Sequence, residues 1–244
     1  MNELIAEQLF SRHPLQEDFF DDFHELDTTV RWTDTSADAG CAPALLADGT
    51  SSSVNLVTAA TNQFECLLGS NASWDISAGR PILFESRFKH TETGTTTANI
   101  FVGHSSVGHT ADMLLDDGGG IAASMSGFGL YKVDGGTYYK FVSSVTTTRY
   151  GDNTTKSAVQ AGSWIGFRVE VRPISSTEAE IVPLIDLNGG DDYHQMKDYT
   201  SGLLIKHILT YTSYATSYLT LNVKAGSANA ETLTVDWVRT SQRR

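Results

Sequence analysis

Alternating apolar and polar residues run through most of this chain. In residues 164–173, WIGFRVEVRP, every second side chain is apolar, and the same period recurs in 81–90, 178–190, 217–226 and 231–242. A period of two predicts a strand with one buried face. The apolar side of these strands is the predicted core: Phe84, Phe88, Phe167, Val169, Val171, Leu219, Leu221, Val223, Leu233, Val235 and Trp237.

Turn signals separate the predicted strands. Residues 129–145 predict a hairpin around Asp134-Gly135-Gly136, and 53–70 predict a pair of short strands. Long loops are expected at 91–98, 104–120 and 146–163. With 21 glycines and no linker or fixed repeat, the pattern favours one all-β domain, an antiparallel two-sheet sandwich over residues 19–244.

Helical spacing is confined to the first residues. Apolar residues of NELIAEQLF, residues 2–10, fall on one helical face, and Pro14 ends the pattern. Nine residues are too few for a helix that is stable alone, so the segment predicts a short helical arm, residues 1–18, docked on its own domain or on a neighbouring subunit. The predicted partner-binding residues are Leu4, Ile5, Leu9 and Phe10.

Composition narrows the partners. The 244 residues carry a formal net charge of −12, which disfavours nucleic acid and anionic membranes as partners. The opening residues, MNELIAEQLFSRHP, have neither a basic stretch nor an apolar run, so we expect a protein made and used in a cytoplasm. Cys41 and Cys66 fit either free thiols or one bridge, and too few cysteines exist for a disulfide framework.

Four segments in order resemble the concanavalin A-like jelly rolls, the superfamily of lectins and laminarinase- or lichenase-type glucanases. They are FFDDFHELDTTVRWT (19–33), PILFESRFK (81–89), GSWIGFRVEV (162–171) and TLTVDWVRT (232–240). The resemblance covers almost the whole chain beyond residue 18. It implies a two-sheet jelly roll, and it leaves function open because one fold carries many functions.

Glucanase activity in this superfamily rests on a strand of the form E-x-D-x-x-E, whose two carboxyl groups flank the sugar bond. That strand is expected soon after residues 81–89, yet residues 99–124 contain no glutamate. Their acids, Asp112, Asp116 and Asp117, adjoin a glycine turn. HELD at 24–27 lacks a third carboxylate. The sequence therefore predicts no catalytic residues and no enzyme.

Other chemical candidates are weak. His104 and His109 lack a third metal ligand, and Ser105 and Ser106 lack a strained elbow. DDGGG, residues 116–120, has no lysine to make a phosphate loop. These patterns predict ordinary loop residues.

Metal and cofactor sites are not predicted either. LIDLNGGDDYH, residues 184–194, has acids and glycines without EF-hand spacing, so a solvated turn is expected. By the resemblance, Asp236 on the closing strand is a candidate ligand of a structural calcium. One carboxylate does not make a site, and a hydrogen-bonded strand residue is the other interpretation.

Two functions of different classes remain. The first is a non-catalytic structural protein of a phage virion, which decorates or cements the capsid, as some jelly rolls of this superfamily do. It implies the major capsid protein as partner, a homotrimer, and location in the virion. The alternative is a lectin-like carbohydrate-binding module, for example in a phage tail or fibre, with sugar rings stacked on aromatic residues of the concave sheet. The aromatic candidates are Trp74, Tyr131, Tyr138 and Tyr139.

Overall fold

A computed structural model describes residues 16–36, 38–47, 52–76, 80–94, 96–110, 113–214 and 216–243. The strands are β1 (Gln16–Asp21), β2 (Trp32–Asp34), β3 (Ala42–Ala47), β4 (Ser52–Val57), β5 (Glu65–Trp74), β6 (Ile82–Thr91), β7 (Ala98–Ser105), β8 (Leu114–Leu115), β9 (Gly120–Ile121), β10 (Gly127–Lys132), β11 (Tyr138–Val145), β12 (Thr148–Ala158), β13 (Ile165–Pro173), β14 (Glu178–Asp186), β15 (His194–Gln195), β16 (His207–Thr210), β17 (Ser217–Ala225) and β18 (Thr232–Arg243). A single 3₁₀ turn, Asp116–Gly118, is the helical structure in this part of the chain.

The strands form two large antiparallel sheets. Sheet A has the order β15-β14-β13-β6-β18-β4-β3, with β1 also paired to β18 and β16 to β14. Sheet B has the order β12-β11-β10-β7-β17-β5-β2. The predicted all-β, two-sheet jelly roll is confirmed, and so is the hairpin around Gly135, which joins β10 to β11 with a positive φ of 73°.

The main core lies between the two sheets. Ten of the eleven predicted core residues are fully buried there, with no exposed surface. The exception is Trp237, which is only half-buried. Its predicted place in the core is wrong, and the cause is local to β18.

A β-bulge shifts the register of β18. Val235 pairs with Phe88 and Trp237 with Arg87, so Asp236 is an extra residue between two successive partners on β6. One inserted residue reverses which face each later side chain occupies. Val238 therefore enters the core with no exposed surface, and Trp237 turns to the outer face of sheet A.

A second apolar cluster covers the outer face of sheet B. We call the described residues 106–110 and 113–126 the cap; it contains the β8–β9 hairpin and the 3₁₀ turn. The cluster joins residues of the cap to residues of the sheet: Phe101, Met113, Leu114, Ile121, Met125, Tyr131 and Val142. The loop predicted at 104–120 is thus partly β-structure, and the one predicted at 146–163 is largely β12, an edge strand.

The cap is seated directly on the backbone of sheet B. A Cβ atom at Gly69 would lie 2.4 Å from Gly108 O, so a larger residue would force the two apart. The buried Lys224 amino group donates to Leu114 O at 2.8 Å, and Leu114 N donates to the Glu65 carboxylate at 3.2 Å. The close approach at Gly69 and the hydrogen bonds of Leu114 therefore hold the cap against sheet B.

The chain enters sheet A at Gln16. β1 pairs with β18 from Gln16 opposite Arg243 to Asp21 opposite Val238, so strand structure begins inside the segment 1–18 that the pattern assigned to an arm. The helical arm itself, with Leu4, Ile5, Leu9 and Phe10, lies outside the described residues. No helix within the described part of the chain is long and apolar enough to cross a membrane.

Candidate functional site

Most of the aromatic residues predicted to stack on sugar are buried. Trp74 and Tyr139 belong to the main core. Tyr131 lies beneath the cap, and its hydroxyl donates to the Asp152 carboxylate. Only Tyr138 reaches the surface, with its ring centroid 4.6 Å from that of Tyr199. The prediction that Trp74, Tyr131 and Tyr139 form a sugar platform is wrong, because core packing and the cap occupy their faces.

Apolar packing fills the region in which the glucanase carboxylates were sought. β7, which begins the segment 99–124, carries no acidic residue, and neither does its neighbour β10 in sheet B. A Cβ at Gly129 in its middle would lie 2.5 Å from the Phe101 ring, which occupies that space. Of the acids in 99–124, Asp116 pairs with Lys224 at 2.6 Å, and Asp112 lies outside the described residues.

The two histidines of this region do not meet. His104 lies between the sheets, where its Nε2 is 2.9 Å from Thr240 Oγ1, and burial lowers its pKa to about 3. The ring of His109, in the cap, stacks on Tyr218 with centroids 4.2 Å apart. The expectation of exposed loop histidines is wrong for His104. Ser105 is buried as well, and its hydroxyl accepts a hydrogen bond from Val107 N.

Asp236 is held by a cation of the protein itself. Its Oδ2 accepts a hydrogen bond from Arg87 Nη1 at 2.6 Å, and Arg87 Nε donates to Gly189 O at 2.8 Å. In 184–194, Asp186 accepts bonds from the N–H groups of Asn188 and Asp192, which makes a turn. Within the described residues, no group of three or more His, Cys, Asp or Glu side chains is arranged to hold a metal ion.

Both cysteines are buried free thiols. Desolvation raises the pKa of Cys66 to about 12, which keeps that sulfur protonated. Desolvation also raises the pKa of Cys41. Neither thiol therefore has the character of a nucleophile.

The outer face of sheet A holds a groove of about 490 Å³, which falls within the range of small-molecule sites, about 300–1,000 Å³. Six residues line it: Asp18, Phe20, Glu85, Asp191, Trp237 and Arg239. Phe20 is 52% exposed, an unusual degree of exposure for a large aromatic side chain on a sheet.

Strand register explains how the floor of the groove is assembled. Arg168, Glu85, Arg239 and Phe20 lie side by side on β13, β6, β18 and β1. With strands about 4.8 Å apart, this row of four spans roughly 14 Å across the sheet. Trp237 stands on one side of the row, two positions before Arg239 on the same strand. The length fits a short oligosaccharide better than one sugar ring.

Ion pairs fix the polar side chains of the floor. Glu85 Oε1 accepts hydrogen bonds from Arg168 Nε at 2.8 Å and Nη2 at 2.5 Å. Arg239 Nη1 lies 4.0 Å from Glu85 Oε2, and its Nη2 lies 3.8 Å from Asp18 Oδ1. This chain of alternating charges holds Glu85 and both arginines in place.

The loop after β14 makes one wall. Tyr193 of this loop stacks over the Arg168 guanidinium, 4.4 Å from the ring centroid, and Asp191 lines the groove beside it. The loop approaches the sheet closely at Gly166, where a Cβ would lie 3.0 Å from the Tyr193 hydroxyl. The loop after β14 can therefore lie close to β13 because Gly166 carries no side chain.

Sequence reasoning missed this groove. It assigned Trp237 to the core, although the spacing of Val235 and Val238, three apart with Asp236 between them, is a signal of a bulge. The only sequence signal that includes Phe20 is the resemblance of residues 19–33, which says nothing about a groove. No periodicity could place β1, β6 and β18 side by side, because their neighbour relations are long-range.

Comparison with known proteins supports the fold alone. No family model matches the chain, and no curated protein sequence matches it. A protein of unknown function from Shewanella oneidensis matches with a TM-score of 0.58 at 10% identity, covering 100% of this chain and 94% of that one. Peanut lectin matches with a TM-score of 0.56 at 8% identity, covering 93% and 97%. A glycoside hydrolase family 16 endo-glucanase from Bacteroides ovatus matches with a TM-score of 0.52 at 13% identity, covering 90% and 98%. The chain therefore has the jelly-roll fold that concanavalin A-like lectins share with glucanases. This fold occurs both in binding proteins and in enzymes.

Proposed function

We propose that this protein is a non-catalytic carbohydrate-binding module and that the groove on sheet A holds the glycan. The observation that carries the proposal is the bulge at Asp236, which takes Trp237 out of the core and aims it at the groove. Bulges that re-aim a side chain are common beside functional sites. Trp237 and the exposed Phe20 together give the groove an aromatic surface. Without the bulge, Trp237 would face the core instead.

The residue types suit a sugar. The apolar C–H face of a pyranose ring packs on an aromatic ring, and its hydroxyl groups donate to carboxylates and accept from guanidinium groups. Trp237 and Phe20 supply the first surface, and Asp18, Asp191 and Arg239 supply the second. Few, well-placed polar groups around an apolar floor are typical of specific small-molecule sites.

Binding fits the geometry better than hydrolysis does. A retaining or inverting glycosidase needs one carboxyl group that gives its proton to the leaving oxygen. Glu85 is the deepest carboxyl group of the groove, but Oε1 takes two bonds from Arg168 and Oε2 faces Arg239. One oxygen is taken by Arg168 and the other lies 4.0 Å from a second cation, so Glu85 positions the arginines.

The virion interpretation depends on the arm. Capsid decoration, contact with the major capsid protein, a homotrimer and location in the virion all stay predictions, because Leu4, Ile5, Leu9 and Phe10 lie outside the described residues. No contact in the described part of the chain favours a capsid partner. A glycan-binding module in a phage tail or fibre joins the two interpretations.

The test is binding to a broad glycan array, followed by titration calorimetry with the best ligand. We expect Trp237→Ala to weaken binding roughly tenfold or more, since an aromatic contact contributes on the order of 1–3 kcal/mol including its buried area. Tyr199→Ala tests the competing site, the exposed pair Tyr138 and Tyr199 on another part of the surface, and should leave binding unchanged. Circular dichroism confirms that both variants fold.

Two outcomes would overturn the proposal. In the first, the array shows no glycan binding above background. In the second, a glycan binds, but Trp237→Ala and Phe20→Ala hold it as tightly as the wild type does. The second outcome would place the sugar elsewhere on the molecule.

A further inference from the structure

We infer that the groove is selective for amino sugars, glycans whose rings carry protonated amines. The inference rests on the proposed function and names the ligand class of the same site. It follows from the pairing of the charged groups in the groove, the guanidinium groups on one side and the carboxylates on the other.

The cations of the groove already face carboxylates of the protein. Arg168 gives two hydrogen bonds to one oxygen of Glu85 and also lies under the Tyr193 ring. Arg239 lies between Glu85 and Asp18, at 4.0 and 3.8 Å, so it can still donate to a sugar hydroxyl. An acidic glycan would have to compete with Glu85 and Asp18 for Arg239, the only cation among the described lining residues.

The anions are in excess. Among the described residues, the groove and its rim hold three carboxylates, Asp18, Glu85 and Asp191, and two guanidinium groups, those of Arg168 and Arg239; Asp191 is the carboxylate that faces the groove without a cation. No lysine or arginine of the described residues pairs with Asp191. The chain as a whole carries a formal charge of −12. The local and global fields both attract a cationic ligand and repel a uronic acid.

The aromatic floor accepts the same ligand. A tryptophan face is the strongest cation–π partner among side chains, effective within about 6 Å. Trp237 and Phe20 can therefore pack against the C–H face of the ring and also against its ammonium group, with Asp191 at the wall as counter-ion. Neutral sugars would use the first contact and lack the other two.

The experiment compares three soluble oligosaccharides of equal length by titration calorimetry at low salt and at a slightly acidic pH, which keeps the amines protonated: oligoglucosamine, oligo-N-acetylglucosamine and an oligouronate. We expect the amino form to bind at least fivefold more tightly than the N-acetylated form, and the uronate not to bind. Added salt should remove the preference for the amino form by screening it.

A charge-matched pair of variants locates the effect. Asp191→Asn should weaken oligoglucosamine binding roughly fivefold, the size expected for one charge contact in water, and leave the N-acetylated form unchanged. Asp192→Asn removes the same charge from the next residue, whose side chain is 81% exposed and pairs with His194 outside the groove. It should change neither affinity.

The outcomes separate this inference from the proposed function. If both glucosamine forms bind equally and Trp237→Ala weakens both, the groove binds sugar but the charge argument is wrong. Tighter binding of the uronate would also overturn the inference alone. If none of the three binds and the array is blank, the proposed function fails with it.

Discussion

Three buried histidines should make the protein acid-labile. His90, His104 and His207 are all within 5% of complete burial. His207 has hydroxyl and amide partners, Ser143 Oγ and Asn153 Oδ1, each at 2.7 Å. Among the described residues His90 has no hydrogen-bond partner for either ring nitrogen. Desolvation lowers the pKa of His90 and of His207 to about 4, and that of His104 to about 3.

The sign of the effect follows from these directions. A folded-state pKa below the unfolded value of about 6.5 means that the unfolded chain takes up the proton first. Stability is therefore complete above about pH 6.5 and is lost as the pH falls toward the folded-state pKa. At about pH 5 each histidine removes about 2 kcal/mol from the free energy of unfolding, and the three together about 6 kcal/mol. Glu231 acts in the opposite direction, because burial raises its pKa.

A single variant isolates one third of this loss. His90→Leu keeps the volume and removes a polar group that has no partner, so we expect it to stabilise the protein at about pH 7 by about 1–2 kcal/mol. It should also reduce the loss between about pH 7 and pH 5 from about 6 to about 4 kcal/mol. His194→Leu, at a side chain that is 77% exposed, is the matched control. Urea unfolding at each pH, followed by fluorescence, measures all three proteins.

Two results would refute this reasoning. One is a free energy of unfolding that stays constant for the wild type across this pH interval. The other is a His90→Leu variant that keeps the full wild-type slope while remaining folded. Either result would mean that the histidine rings are hydrated or protonated in the folded protein.

Two further predictions concern buried groups on sheet B. Lys132→Met should cost about 3–5 kcal/mol in urea unfolding, because the fully buried ammonium pairs with Glu92 at 2.5 Å and its loss leaves that buried carboxylate with the Ala98 N–H but without its counter-ion. Adding Glu92→Leu should recover most of that loss, and no recovery would contradict the ion-pair explanation. Gly69→Ala should cost about 1–3 kcal/mol and expose residues 106–126 to limited proteolysis, because its Cβ would lie 2.4 Å from Gly108 O. An unchanged proteolysis rate would show that the cap is not seated there.

Local patterns were sufficient for the strands and for most of the core. In β13 the alternation is unbroken, and in β6 and β17 it holds from Phe84 and from Leu219 onward, so the predicted core residues of these strands face the main core. β12 was missed because eleven residues with little apolar content lie at the edge of sheet B, where burial leaves no period in the sequence. Edge strands lack the two-sided packing that produces a readable pattern.

The cap and the groove could not be predicted, because they depend on contacts between residues that are far apart in the sequence and on one inserted residue. The cap lies close to sheet B because Gly69 and Gly108 carry no side chain, and glycines in a β-rich sequence indicate only turns or weak strand positions. The groove forms because one inserted residue, Asp236, reverses the face of Trp237. Both features break a local rule, and breaks of that kind concentrate at functional sites.

The cap and the groove together determine which sheet can meet a ligand. On sheet B, the cap covers an apolar cluster that includes Phe101 and Tyr131. A ligand there would have to displace the cap and break its hydrogen bond with Lys224. On sheet A, the bulge leaves Trp237 half-buried and Phe20 exposed, so a ligand that covers them gains apolar burial without disrupting any packed side chain. Since binding is favoured where the ligand removes apolar surface from water at little cost to the protein, the outer face of sheet A is the better face for the glycan binding that we propose.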